Sequence, residues 1–192
     1  LQADLGAWPG PEMKVDVGEG FITAMSVPFS RNTQAAAAGS RIVIGSNDTF
    51  ALHEFSPSGA LIRIIRSLGP LREVTEEMAD AAFAERIEDA DDEDEVRRLR
   101  AARSEEQTPP TLPAFQSIFV DRGGLVWVQD FRTPLDTDNN FTVFDGEGTL
   151  VARLTLPEDL SLLDVGTDYV MGRVTDDFGV EFIHVHRLNR GP

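Results

Sequence analysis

From Phe115 to Pro157 the chain runs FQSIFVDRGGLVWVQDF, RTPLDTDNN and FTVFDGEGTLVARLTLP, and no other stretch limits the possible folds as tightly. It holds four strand signals in a row. Residues 115–120 and 125–129 flank Asp121-Arg122-Gly123-Gly124, a tight turn that admits positive φ. Residues 141–144 and 149–156 flank Asp145-Gly146-Glu147-Gly148, a second hairpin signal. The first two strands are apolar at both parities: Phe115 and Phe119 alternate with Ile118 and Val120, and Leu125 and Trp127 with Val126 and Val128. Such strands must be covered on both faces, unlike those of a sheet with one wet side. The fourth relaxes towards alternation, with Leu150, Ala152, Leu154 and Leu156 on one parity and Arg153 and Thr155 on the other.

A four-stranded antiparallel meander, dry at its inner strands and half-wet at its outer one, has the form of a propeller blade. The pattern recurs. Strand signals at residues 34–38, 41–45, 50–55 and 60–66 are joined by turns at 37–40, 45–48 and 56–59. RIVIG aligns with LVWVQ, and TFALHEFSPSGALIRII with NFTVFDGEGTLVARLTL, with Phe on Phe and Gly on Gly across the hairpin. A third copy covers residues 162–165, 169–174 and 179–188, and stops after three strands. Residues 13–17 and 21–27 form one further hairpin around Gly18-Glu19-Gly20. The expectation is an all-β chain: a partial β-propeller of four-stranded antiparallel blades, two complete and two partial, with an acidic helical insert. A β-sandwich would need Greek-key crossings, of which the in-register repeat gives no sign.

Residues 1–192 are read as one domain, with 1–12 as an extended leader carrying Trp8 and 73–112 as the insert and its Pro-rich linker. From Glu73 to Glu106 there are 14 Asp or Glu against 5 Arg, a net of nine negative charges, more than half of the whole-chain -16. Met78, Ala82, Phe83, Ile87 and Ala90, then Val96, Leu99 and Ala102, follow helical spacing. Thr75 is placed to N-cap, with Glu76 and Glu77 in the first turn and Arg97, Arg98, Arg100 and Arg103 at the far end, as the helix dipole favours. One long or two short helices are predicted over the β-domain, with residues 88–95 solvated.

Net charge of -16 argues against nucleic acid and anionic lipid surfaces as partners. No run of about 18 apolar residues occurs, so no membrane span is expected. With no cysteine, disulfides, thiolate catalysis and Cys-ligated metals are excluded. The chain starts at Leu1 rather than Met, so a processed or partial polypeptide, with a signal peptide lost, is expected.

PAFQSIFVDRGGLVWV (residues 113–128), VFDGEGTL (143–150), Pro28-Phe29, FSPSGALIRIIR (55–66) and DYVMGRVTDDFGVEFIHVHRL (168–188) together resemble the bacterial six-bladed β-propeller-like proteins related to NHL-repeat proteins, in their C-terminal half. The resemblance implies export to the periplasm or beyond, and no particular reaction. Six blades of about 40 residues need roughly 240, so this chain holds about half a ring.

Asp136, Asp138 and Asn140, with Glu147 eleven residues after Asp136, nearly satisfy the spacing of a Ca²⁺ loop, although Phe141 stands where such a loop turns on Gly. The alternative is an inter-strand loop using Asx-turns. His184 and His186 share one face of a strand and, with His53, are the chain's imidazoles available to Zn²⁺. Asp121 and Asp176-Asp177 lie at turns, where they either shape the turn or line a propeller mouth as acid–base carboxylates. Trp8, Trp127 and Tyr169 are the aromatics a sugar would stack on, with Trp127 expected in the core. No GxSxG, Walker loop, dinucleotide fingerprint or HExxH is present.

A partial propeller exposes strand edges and apolar blade faces, both prone to sticking. We therefore expect a non-enzymatic, extracytoplasmic interaction or scaffold module, an accessory subunit of a larger assembly. Its partners would be other protein subunits or its own missing blades. The acidic insert serves as a solubilising flank or as a handle for a basic partner. The alternative is a lactonase- or lyase-like propeller enzyme, or a small-ligand or glycan binder.

Overall fold

The computed structural model describes residues 3–18, 21–103 and 108–190. Among them are 13 strands in four antiparallel sheets and two helices. The first sheet pairs β1 (Met13–Gly18) with β2 (Phe21–Ser26). The second is β3 (Thr33–Ala38), β4 (Arg41–Ser46), β5 (Ala51–Phe55) and β6 (Leu61–Arg66). The third is β7 (Ser117–Val120), β8 (Val126–Gln129), β9 (Asn139–Phe144) and β10 (Leu150–Leu156). The fourth is β11 (Ser161–Val165), β12 (Tyr169–Thr175) and β13 (Glu181–Arg187). In every sheet each strand pairs with its sequence neighbour, so all four are meanders without a crossover.

The third sheet is the middle layer. On β8, Val126 and Val128 enter a core with Val43, Leu52 and Ile65 of the second sheet, joined by Ile118 of β7 and Phe144 of β9. Trp127 points the other way, into a core with Phe141, Val143 and, from the fourth sheet, Leu162, Val165 and Val170. Both parities of β8 are therefore buried, as its sequence demands, and Val126, Trp127 and Val128 are each no more than 2% exposed. β10 alternates exposed and half-buried residues, the half-wet outer strand of the meander.

The repeat is most exact in the turns. Asp121, Asp145 and Asp176 each accept a backbone hydrogen bond through Oδ1 from the residue four positions on, at 2.8 to 2.9 Å, and Ser56 accepts one through Oγ from Ala60 at 3.2 Å. The residue three positions on is in every case a glycine with φ between +76° and +87°: Gly59, Gly124, Gly148 and Gly179. The side-chain oxygen stands in for a backbone carbonyl, and the left-handed glycine lets the chain reverse within the twist of the strands.

The acidic insert leaves and rejoins this scaffold at one neck. Val74 N–H donates to Pro110 O, and Leu112 N–H to Arg72 O, around a single antiparallel bridge between Glu73 and Thr111. Closing the excursion at its base lets it vary without disturbing strand register. It holds α1 (Glu76–Glu88) and α2 (Glu93–Ala102). Thr75 Oγ1 accepts from Met78 N–H as the predicted N-cap; α2 starts on a second cap, Asp92, accepting from Glu95 N–H. Ala79 and Ala82 of α1 bury against Phe29 and Leu112. Phe29 takes φ +55°, rare for a non-glycine residue, and its ring is held in that core edge-on to Phe131. The leader lies on the second sheet, Trp8 packing edge-on to His53 and Phe55.

Two glycine substitutions separate turn strain from packing. Gly179→Ala meets open space and should cost about 1 kcal/mol in urea unfolding, from the left-handed backbone alone. Gly148→Ala adds a Cβ 3.2 Å from Ile65 Cγ1 and should cost measurably more. Equal, negligible costs would contradict the shared turn.

Candidate functional site

The fourth sheet ends on an open edge. β13 pairs with β12 along all seven residues, and among the described residues no strand pairs with its other side. All seven residues are exposed. The register sets Ile183 opposite Arg173 and Val185 opposite Met171, on the face turned away from the third sheet. Ile183 and Val185 are 57% and 63% exposed, and Leu163, at the neighbouring bulge of β11, is 49% exposed. An unpaired edge beside an exposed apolar face is a template for another β-sheet.

The segment that follows β13 is tied down by a buried carboxylate. Asp121, fully buried at its side chain, accepts at Oδ2 from Trp127 Nε1–H (3.0 Å) and from Arg190 Nη2 (2.8 Å). Arg190 also donates to Gly166 O and Thr167 O at 2.7 and 2.8 Å, so the segment after β13 is clamped to the β7–β8 turn. The buried charge is compensated by donors on all sides, the condition under which burial is tolerated. Nearby, Tyr169 donates its hydroxyl to Asp164 Oδ2 at 2.7 Å, with Arg122 on the same oxygen at 3.2 Å. The Tyr169 hydrogen bond holds the Asp164 carboxyl below its usual range and pushes the phenol up. A pre-ordered edge loses little entropy when it takes on a strand.

The sequence-predicted sites fare differently. Asp136 gives both carboxylate oxygens to Arg72, at 2.6 and 2.9 Å, and accepts from Thr133 N–H and Oγ1–H. Asn140 Oδ1 accepts from Thr155, Asp138 is exposed, and Glu147 sits on the hairpin at the far end of β9. Among the described residues no group of three or more His, Asp or Glu is placed to hold a metal, so Asp136, Asp138 and Glu147 do not converge. His184 and His186 lie on β13 with ring centroids 6.1 Å apart, whereas His53 is on β5 of another sheet. Asp121 and Asp176 shape their turns, and Trp127 is core. No helix among the described residues is long and apolar enough to cross a membrane.

A second feature was not singled out by sequence. Where the second and third sheets splay, a cleft of about 720 Å³ opens between β6 and β10, lined by Arg63, Arg66, Asp130, Glu147 and Arg153. Burial of the Asp130 carboxyl raises its pKa, outweighing the lowering pull of Arg153 and Arg72, although the residue as a whole is exposed. Its only sequence signal is position: it follows the β8 run directly.

Asp136 carries a pH test. Arg72 holds its carboxyl at about 2, from 3.8, so the stabilisation is present above the unfolded value and is lost as pH falls through that interval. The pair is partly solvated, which limits its worth to about 1 kcal/mol. Asp136→Asn should therefore unfold more easily than the native chain by about 1 kcal/mol at neutral pH, the difference closing as the pH drops to about 2. No protein-family model matches the chain, and no curated protein matches it.

Proposed function

We propose that the chain is a non-enzymatic, extracytoplasmic protein-interaction module, part of a partial β-propeller whose open flank is covered by a further β-sheet. The propeller reading is supported by the tandem meanders, by the middle sheet packed on both faces, and by the shared glycine turn. The location outside the cytoplasm rests on the resemblance to exported propeller-like proteins. One observation carries the interaction role: β13, its edge unpaired and its outer face apolar, on a sheet clamped in place by Arg190 and Asp121. The covering sheet belongs to another subunit of an assembly or to further blades of the same polypeptide. The acidic insert stands outside both cores and works as a solubilising flank.

The absence of cysteine makes the test clean. Val185→Cys carrying a thiol-linked photo-crosslinker should give one stoichiometric adduct in the native compartment. Adding Ile183→Glu should abolish the adduct while leaving unfolding free energy within about 0.5 kcal/mol, since both positions are at the surface. A chain that forms no adduct, or that is destabilised by several kcal/mol, would overturn the proposal.

A further inference from the structure

We propose that the cleft between β6 and β10 binds a small organic oxyanion, a carboxylate or phosphate carried on an apolar body. In the chain as a whole, anionic side chains outnumber cationic ones 33 to 17. At the cleft cationic side chains are instead the more numerous. Arg63, Arg66 and Arg153 line it, against Asp130 and Glu147. Behind Arg63, the buried Glu54 is already committed: Arg41 takes both its oxygens, each at 2.8 Å. Arg63 Nε forms an ion pair with one of those oxygens at 3.0 Å, yet that nitrogen is buried without a hydrogen-bond acceptor. Arg66 and Arg153 have no hydrogen bond or ion pair of their own among the described residues, and Arg153 feels Asp130 only through its field.

Arg66 and Arg153, two uncommitted guanidiniums brought to one opening beside the Glu54-paired Arg63, suit an oxyanion, which arginine binds by charge-assisted, bidentate hydrogen bonds. The walls supply the apolar half. Phe50, Ile65 and Phe144 line the same space, and the β9–β10 turn closes one end where Gly148 abuts Ile65 and Arg63. A volume of about 720 Å³ lies within the range of small-molecule sites. The field of the acidic insert opposes approach of an anion from afar, but it is screened within about 8 Å at physiological ionic strength, where the local arginines decide.

Titration calorimetry at that ionic strength with phenyl phosphate, phenylacetate and inorganic phosphate tests the site and separates the two oxyanions. At least one of the aromatic anions should bind saturably in the millimolar range or tighter, and better than inorganic phosphate. Arg66→Gln and Arg153→Gln should each weaken it about tenfold, and Arg173→Gln, on the outer face of the fourth sheet, should not. A ligand-induced rise in melting temperature, lost in the same two variants, provides a second readout on folded protein. No saturable binding of either aromatic anion, or binding unchanged by both cleft substitutions, would overturn the assignment.

Discussion

The structure depends on a sheet with no wet face. Val126 and Val128 go one way and Trp127 the other, and each direction is filled by a different neighbouring sheet. A strand of this kind is unstable alone and in a two-layer sandwich with water on its back; it requires a layer on each side. Once that is granted, the second and fourth sheets are obligatory companions rather than independent units. The cost appears on the open side of the fourth sheet, where the same logic leaves β13 with apolar side chains facing out. Ile183 and Val185 are left exposed there, as are Met13, Val15, Val17 and Ile22 on the separate two-stranded sheet.

Charge is kept away from this apolar stack by topology. The insert carries a net of nine negative charges, yet it joins the scaffold only at the Glu73–Thr111 neck and buries little more than Ala79, Ala82 and Leu99 of its helices. Inside the stack, the buried carboxylates of Glu54 and Asp121 sit where partners converge. Glu54 is held by Arg41, and Asp121 by Arg190, Trp127 and a backbone amide. Arg41 also reaches the carbonyls of Gly124 and Asp145, tying the second sheet to two turns of the third.

What was legible in the sequence was local. Parity along 125–129 announced two covered faces, because side-chain direction in a strand follows from position alone. The Asp-to-Gly turns and the Thr75 cap were legible for the same reason: the interaction closes within four residues. The calcium-like spacing of Asp136, Asp138, Asn140 and Glu147 carries no sign of Arg72, 64 residues upstream, which donates to both oxygens of Asp136. Nor does sequence show that Arg190 reaches Asp121 across 69 residues, or that Arg66 and Arg153 meet at one opening. Those pairings are products of how the sheets splay and stack, and no spacing rule encodes them. Asp92 as the second helix cap lay hidden in a run of acids where any residue offered the same side-chain oxygen.

Amide hydrogen exchange across the strands tests the central claim most directly, because it reads burial and edge pairing separately. In the 192-residue chain by itself, the amides of β8 should exchange only through global unfolding, while every second amide of β13 exchanges at near the rate of an exposed strand edge. Uniformly slow exchange along β13, or fast exchange along Val126–Gln129, would contradict a middle sheet covered on both faces and a flank left open for another.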